Sequence, residues 1–174
     1  DQEVPFVGRA GDVGDELGSH LIASRQIENL MRLCFLMEKE YPPYAKWFGT
    51  GFQQLPHAHR FRPIFTAVFT ATNWRTREAA LAQAYKLAAE LHNQLQITKP
   101  IDTDTGYFHE RPYLVFAGQF VSIIRDTIQD PAVLALPNLG TIDQLVDSTD
   151  ILSNPHHTTK LQHLFTPDNA IPND

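Results

Sequence analysis

Between Trp74 and Gln96 the residues Leu81, Ala84, Ala88, Leu91 and Leu95 recur at intervals of three and four, the repeat that lines one face of an α-helix. Asn73 stands directly before this stretch, and its side-chain oxygen suits the N-cap position. A helix of about six turns with one apolar stripe must bury that stripe against a neighbour. No alternating strand pattern of useful length occurs elsewhere in the chain, so the neighbours are expected to be helices. The predicted fold is all-α, an up-and-down bundle of about five to seven helices with one long loop.

The remaining punctuation supplies those helices. One is expected from an N-cap at Asp12, with Asp15 and Glu16 in the first turn, to about Glu40, where Pro42-Pro43 forbids continuation. Its second half, from Ile27 to Met37, is apolar nearly all round and reads as a central buried helix. Shorter helices are expected at Tyr44–Leu55 and His57–Ala71. The segment from Ile97 to Pro112 lacks periodicity and reads as the long loop. Pro112 suits the first turn of a helix carrying Tyr113, Phe116, Phe120, Ile123, Ile124 and Ile128 on one face, ended by Asp130-Pro131. Short helices at Ile142–Val146 and His157–Phe165 follow. Residues 1–166 are expected to form a single domain and 167–174 a loose tail.

Composition narrows the function classes. Lys and Arg total 14 against 20 Asp and Glu, a formal charge of −6, which argues against a phosphate-backbone binder and so against nucleic acid as a partner. No apolar run approaches the roughly 20 residues of a bilayer span, and the polar start resembles no signal peptide, so a cytoplasmic protein without membrane contact is expected. The single cysteine, Cys34, lies in an apolar run and reads as a small core residue. Eight histidines invite a metal reading. However, His57/His59, His156/His157 and His163 lack the spacing that places two ligands on one helical face, and no metal is expected.

No motif makes this chain an enzyme unaided: there is no phosphate-binding loop leading to Lys-Ser or Lys-Thr, no nucleophile elbow and no zinc helix. Gly14 and Gly18 read as close helix packing. A stripe at seven-residue spacing is more specific: Gly11, Gly18, Arg25, Arg32 and Lys39, with Glu28 beside both arginines. Cations on an otherwise apolar helix must face Glu28, solvent or an anionic ligand. Tyr44-Ala45-Lys46-Trp47 then begins a second basic element, with Trp47 expected as a core anchor. Lys46, Arg32, Arg25 and Tyr44 are therefore candidates for contacting a nucleotide or substrate. His109, Glu110 and Arg111 form a secondary acid-base candidate in the long loop. Asp143 and Asp147, with Asp150, are secondary carboxylate candidates, against which stands a helix-capping role for Asp147-Ser148-Thr149-Asp150.

The runs Arg9–Ser19, Leu30–Phe35, Pro43–Phe48 and Ile142–Asp150 together resemble a bacterial family called domain of unknown function 4037, over about residues 6–152. That resemblance implies a helical region carried after a nucleotidyltransferase-like domain. More distantly, the order of an arginine on a long helix followed by a lysine-bearing turn is similar to the helical C-terminal domain of aminoglycoside adenylyltransferases. There the helical domain closes one side of the nucleotide cleft. The resemblance implies that Lys46 approaches a nucleotide phosphate and that Arg32 shapes the cleft. It also implies a partner, an N-terminal nucleotidyltransferase-like domain of the same parent chain, which would supply the sites for ATP or another nucleoside triphosphate with magnesium and for a small-molecule substrate. The paired acidic residues that hold the metals in such transferases are absent after Gly18-Ser19, so this chain is expected to be an accessory domain, not catalytic alone and without a cofactor of its own. An interaction or oligomerisation domain without nucleotide binding is the alternative. A helical ribonuclease would need an arginine followed four to six residues later by histidine, and no arginine here has one.

Overall fold

The computed structural model describes residues 3–107, 114–116, 119–137, 139–140, 142–146 and 148–165. The fold is an all-α helical bundle. The chain divides into two compact units, Asp1–Phe120 and Val121–Asp174.

The first unit holds α1 (Phe6–Asp12), α2 (Glu16–Met37), α3 (Ala45–Phe52), α4 (Ala58–Thr70) and α5 (Trp74–Gln94). The long helices run up, down and up. The backbone N–H of Trp74 at the start of α5 donates to Glu16 at the start of α2, while the C-terminal ends of α2 and α5 and the N-terminus of α4 share a small cavity. The stripe of α5 is buried at Leu81, Ala84, Ala88 and Leu91, and Asn73 caps the helix by accepting the N–H of Thr76 at 3.0 Å. Leu95 lies beyond the last turn and is exposed. Phe52, Phe61 and Phe65 close the core between α3 and α4, with ring centroids 5.4–6.2 Å apart.

The helix expected from Asp12 to Glu40 is α2, which starts later, at Glu16, and is preceded by a short helix, α1, that ends at the expected N-cap Asp12. Gly14, at φ +85°, makes a turn after α1, and Asp15 becomes the N-cap of α2 by accepting the N–H of Gly18 at 2.7 Å. Of the small-residue positions, Gly11 is the one in close packing: a Cβ there would collide with Trp74, whereas one on Gly14 would meet open space and one on Gly18 its own cap. The C-terminus of α2 closes before the prolines are reached. Lys39 adopts φ 58°, and the N–H groups of Lys39 and Glu40 bond back to Leu36 and Phe35, so a lysine fills a position that glycine usually takes. Nor is α2 buried all round: Ala23, Ile27, Leu30, Cys34 and Phe35 face the core, but Leu33 and Leu36 are exposed.

After α5 comes an antiparallel hairpin of β1 (Thr105–Tyr107) and β2 (Leu114–Phe116), pairing Gly106 with Val115. The expected helix from Pro112 is therefore much shorter. Phe116 lies in a strand, and α6 spans only Phe120–Arg125. Three-residue strands give no periodicity to read, which is why this hairpin was invisible in the sequence.

The second unit carries α7 (Pro131–Leu134), α8 (Ile142–Leu145), α9 (Thr149–Leu152) and α10 (Pro155–Leu161), followed by a 3-10 turn at Gln162–Phe165. Asp130-Pro131 starts a helix as well as standing after one, since Asp130 accepts the N–H of Ala132 at 2.8 Å and Pro131 occupies the first turn. Asn154 and Pro155 repeat the arrangement at α10. The tail 167–174 lies outside the described residues.

Candidate functional site

Of the four principal candidates, Arg32, Tyr44 and Lys46 lie at or near the junction of α2 with α3. Phe48, the fourth residue of α3, packs on Phe35 of α2 with ring centroids 5.6 Å apart, and this contact fixes α3 against α2. The guanidinium of Arg32 lies over the Phe48 ring at 5.1 Å and donates from Nη2 to Glu28 at 2.9 Å. Arg32 is thus neutralised in place. Lys46, in the first turn of α3, is exposed, and its ammonium sits 5.1 Å from the Trp47 ring centroid. It forms no ion pair among the described residues. Trp47 is 51% exposed and Tyr44 55%, so the core anchors of this helix are Phe48 and Phe52, and the expectation that Trp47 would fill that role is corrected.

Arg32 thus meets α3 through Phe48, while Tyr44, Lys46 and Trp47 stand exposed at the start of α3, Lys46 being two residues and so about 200° around the helix from Phe48. Arg25 is elsewhere. Seven residues before Arg32, it lies about 10 Å away along the helix axis, and its Nη2 is bound to Glu3 at 2.8 Å. Glu3 also accepts from Gln26, whose side-chain oxygen accepts the Tyr85 hydroxyl at 3.2 Å, so Arg25 belongs to a network tying the N-terminal segment to α2 and α5. Burial raises the Tyr85 hydroxyl above the usual phenol range, keeping it a neutral donor.

The secondary candidates fall mostly outside the described residues. That is so of His109, Glu110, Arg111 and Asp147, and of the side chain of Asp143, whose backbone belongs to α8. Ser148 is the N-cap of α9 without a side-chain cap bond, and Asp150 occupies its first turn. Among the described residues no three His, Cys, Asp or Glu side chains converge as a metal site would require, and no helix is long and apolar enough to cross a membrane.

Residues 1–48 match the family model described as a domain of unknown function (DUF4037). The match takes in α1, α2 and the first turn of α3, and so includes Arg25, Arg32, Tyr44 and Lys46. It ends far short of the Ile142–Asp150 motif, so the resemblance expected over residues 6–152 is supported over the first part of the chain. No curated protein and no solved structure matches this chain.

Sequence reasoning overlooked a second polar cluster. Arg77 is fully buried at 0% exposure. Its Nη1 donates to Glu16 at 2.9 Å and to Ser19 at 2.7 Å, its Nη2 meets the His20 ring and the Ala71 carbonyl, and its Nε has no hydrogen-bond partner. Hydrogen bonding to Arg77 holds the Glu16 carboxyl below the usual carboxylate range. The signal was present: extending the α5 stripe back from Leu81 by four residues reaches Arg77, a cation in line with apolar residues.

A cavity of about 230 Å³ lies between the C-terminal ends of α2 and α5 and the start of α4, with Cys34, Leu55 and Leu91 in its lining and Glu38 and His57 beside them. Burial, with the Glu38 carboxylate nearby, pushes the Cys34 thiol up to about 12. It is protonated at neutral pH and is no nucleophile.

Proposed function

We infer that this chain is a non-catalytic helical domain that closes one side of the nucleotide cleft in a nucleotidyltransferase-like protein, with Lys46 reaching a phosphate and Trp47 and Tyr44 offering faces to an aromatic base. The observation that carries the reading is the start of α3, where the Lys46 ammonium, without an ion pair among the described residues, lies over the exposed Trp47 ring, two residues after the exposed Tyr44, within the segment matched by the family model. An ammonium with no carboxylate partner is available to an anion. Arg32, already paired with Glu28, would position Phe48 and hence α3. In this reading the partner is a nucleotidyltransferase-like domain of the same parent chain. That domain supplies the metal-binding carboxylates, and ATP or another nucleoside triphosphate arrives with magnesium alongside a small-molecule substrate. Transfer of a nucleotidyl group depends on positioning and charge neutralisation, and this domain would contribute one cation to both.

A second reading, an interaction domain without nucleotide binding, draws on the same corner. Leu36 and Tyr41, which precede α3 in sequence, are exposed as Tyr44 and Trp47 are, with Tyr41 at 97%, and exposed apolar side chains grouped in one region mark protein contacts. NMR titration with Mg-ATP separates the two. The nucleotide reading expects shifts concentrated at Arg32 and Tyr44–Phe48 that grow when the catalytic domain is attached. It fails if the attached protein binds nucleotide while these residues stay unmoved.

A further inference from the structure

The second unit has an unusual balance of burial and charge. No described residue between Val121 and Phe165 is buried. Yet the segment is rich in aliphatic side chains: Val133, Leu136 and Leu139 follow one another at three-residue spacing, and Leu145 and Leu152 are seven apart, all of them exposed. The helices that carry them are too short to persist alone. α7, α8 and α9 have four residues each, and an isolated helix needs about 12–15 before it is even marginally stable in water. Helices this short are held by packing, and here Leu134, Ile142 and Ile151 are only half-buried while Val133, Leu145 and Leu152 on the same helices stand exposed.

Charge says what would cover it. Seven of the chain's 20 acidic residues lie in 121–174, with Arg125 and Lys160 as the only basic ones, so this unit carries −5 of the formal −6. A phosphate backbone or an anionic lipid surface would be repelled by that density, and so would the same unit of a second copy. A surface of opposite sign is favoured, and complementary charge steers such encounters and sets their orientation.

We propose that residues 121–165 are a docking arm for another protein, one presenting an apolar groove rimmed by lysine and arginine, into which the aliphatic side chains of α7–α9 seat while Asp126, Asp130 and Asp150 pair with the rim. The arm obtains from its partner the core it lacks. This is independent of any nucleotide role for the α2–α3 junction.

The test is hydrogen exchange on the full chain at two concentrations, alone and with a synthetic amphipathic Leu/Lys helix as the probe. The controls are a Leu/Glu helix and a Leu/Lys peptide scrambled to abolish its apolar face. In the free chain, amides of 131–165 should exchange close to the unstructured rate at both concentrations while α5 is strongly protected. The Leu/Lys helix should slow exchange in 131–165 by about tenfold or more. Added salt, or the combined D126N, D130N and D150N substitutions, should weaken this without altering protection in α5. Protection of 131–165 in the free chain at both concentrations would mean that the chain already covers its own arm, and protection that grows with concentration would mean that a second copy does. Either result overturns the proposal, as does an equal response to the Leu/Glu helix or none to the Leu/Lys helix.

Discussion

The same substitution, glycine to alanine, should have opposite effects at two helical positions in this chain. In α1, a Cβ on Gly11 falls far inside contact distance of Trp74 Cβ and Cγ. Those atoms sit close to the α5 backbone and cannot swing away as a side-chain tip could, so α1 must lift off α5. Overpacking of that kind costs about 1–3 kcal/mol, and the upper end applies where the obstruction is tied to backbone. Alanine recovers about 1 kcal/mol of helix propensity, leaving a net loss of about 2 kcal/mol for Gly11→Ala. Gly49 in α3 has no atom within 4 Å of its added Cβ and no left-handed backbone. There the propensity gain stands alone, and Gly49→Ala should stabilise by about 0.5–1 kcal/mol. For a cooperative unit of roughly 120 residues, 1 kcal/mol shifts Tm by about 4 °C, so the two variants should fall about 8 °C below and 2–4 °C above the parent. Thermal and urea unfolding followed by circular dichroism measures both. A Gly11→Ala variant as stable as the parent would refute the close approach of α1 to Trp74, and with it this account of how α1 joins the bundle.

Arg77→Met should destabilise by about 2–3 kcal/mol, chiefly through the hydrogen bonds to Ser19 and the Ala71 carbonyl and the packing lost with a fully buried side chain. Its ion pair with Glu16 adds little, because Glu16 faces solvent. Chemical denaturation measures this, and a loss below about 0.5 kcal/mol would contradict burial of the guanidinium. His92 is buried against Phe120 and bonded to Thr98 Oγ1 at 3.0 Å, and burial holds its imidazole below the usual value. The unfolded chain then binds the proton more readily than the folded one. The contribution of His92 to stability is complete above the unfolded value of about 6.5 and declines as pH falls below it toward the folded value. His92→Gln should flatten that decline in urea midpoints between about pH 7 and 5, and an unchanged slope would remove His92 as its source.

Helix type and length were legible wherever the chain offered a long stripe and a cap. Asn73 and the stripe from Leu81 to Leu91 placed α5 to within two residues, and the shorter helices α3 and α4 stand within the stretches Tyr44–Leu55 and His57–Ala71 where they were expected. What was not legible lay in single residues with left-handed backbone. Gly14 turns the chain between the unforeseen α1 and an α2 that starts four residues past the expected N-cap Asp12, and Lys39 ends α2. The seven-residue basic stripe conflated three fates: Arg25 bound to Glu3, Arg32 to Glu28, and Lys39 spent on a helix terminus. Of the three, Arg32 meets α3, through the Phe48 ring. A pattern on a helical wheel records direction around the axis, and it is silent about distance along it and about the partner that arrives from elsewhere in the chain. Arg77 was missed for the complementary reason, since its partners Glu16 and Ser19 are brought to it by the fold alone.

The most direct test of the nucleotide reading is calorimetric titration of Mg-ATP into the natural full-length protein, with Lys46→Ala and Arg25→Ala variants in parallel. Loss of one charge-assisted phosphate contact should weaken affinity about tenfold, or about 1.4 kcal/mol, for Lys46→Ala. Arg25→Ala, held by Glu3 away from the junction, should bind as the parent does. Equal affinity of the Lys46→Ala variant and the parent would contradict the reading and leave the exposed rings of α3 as a surface for another protein.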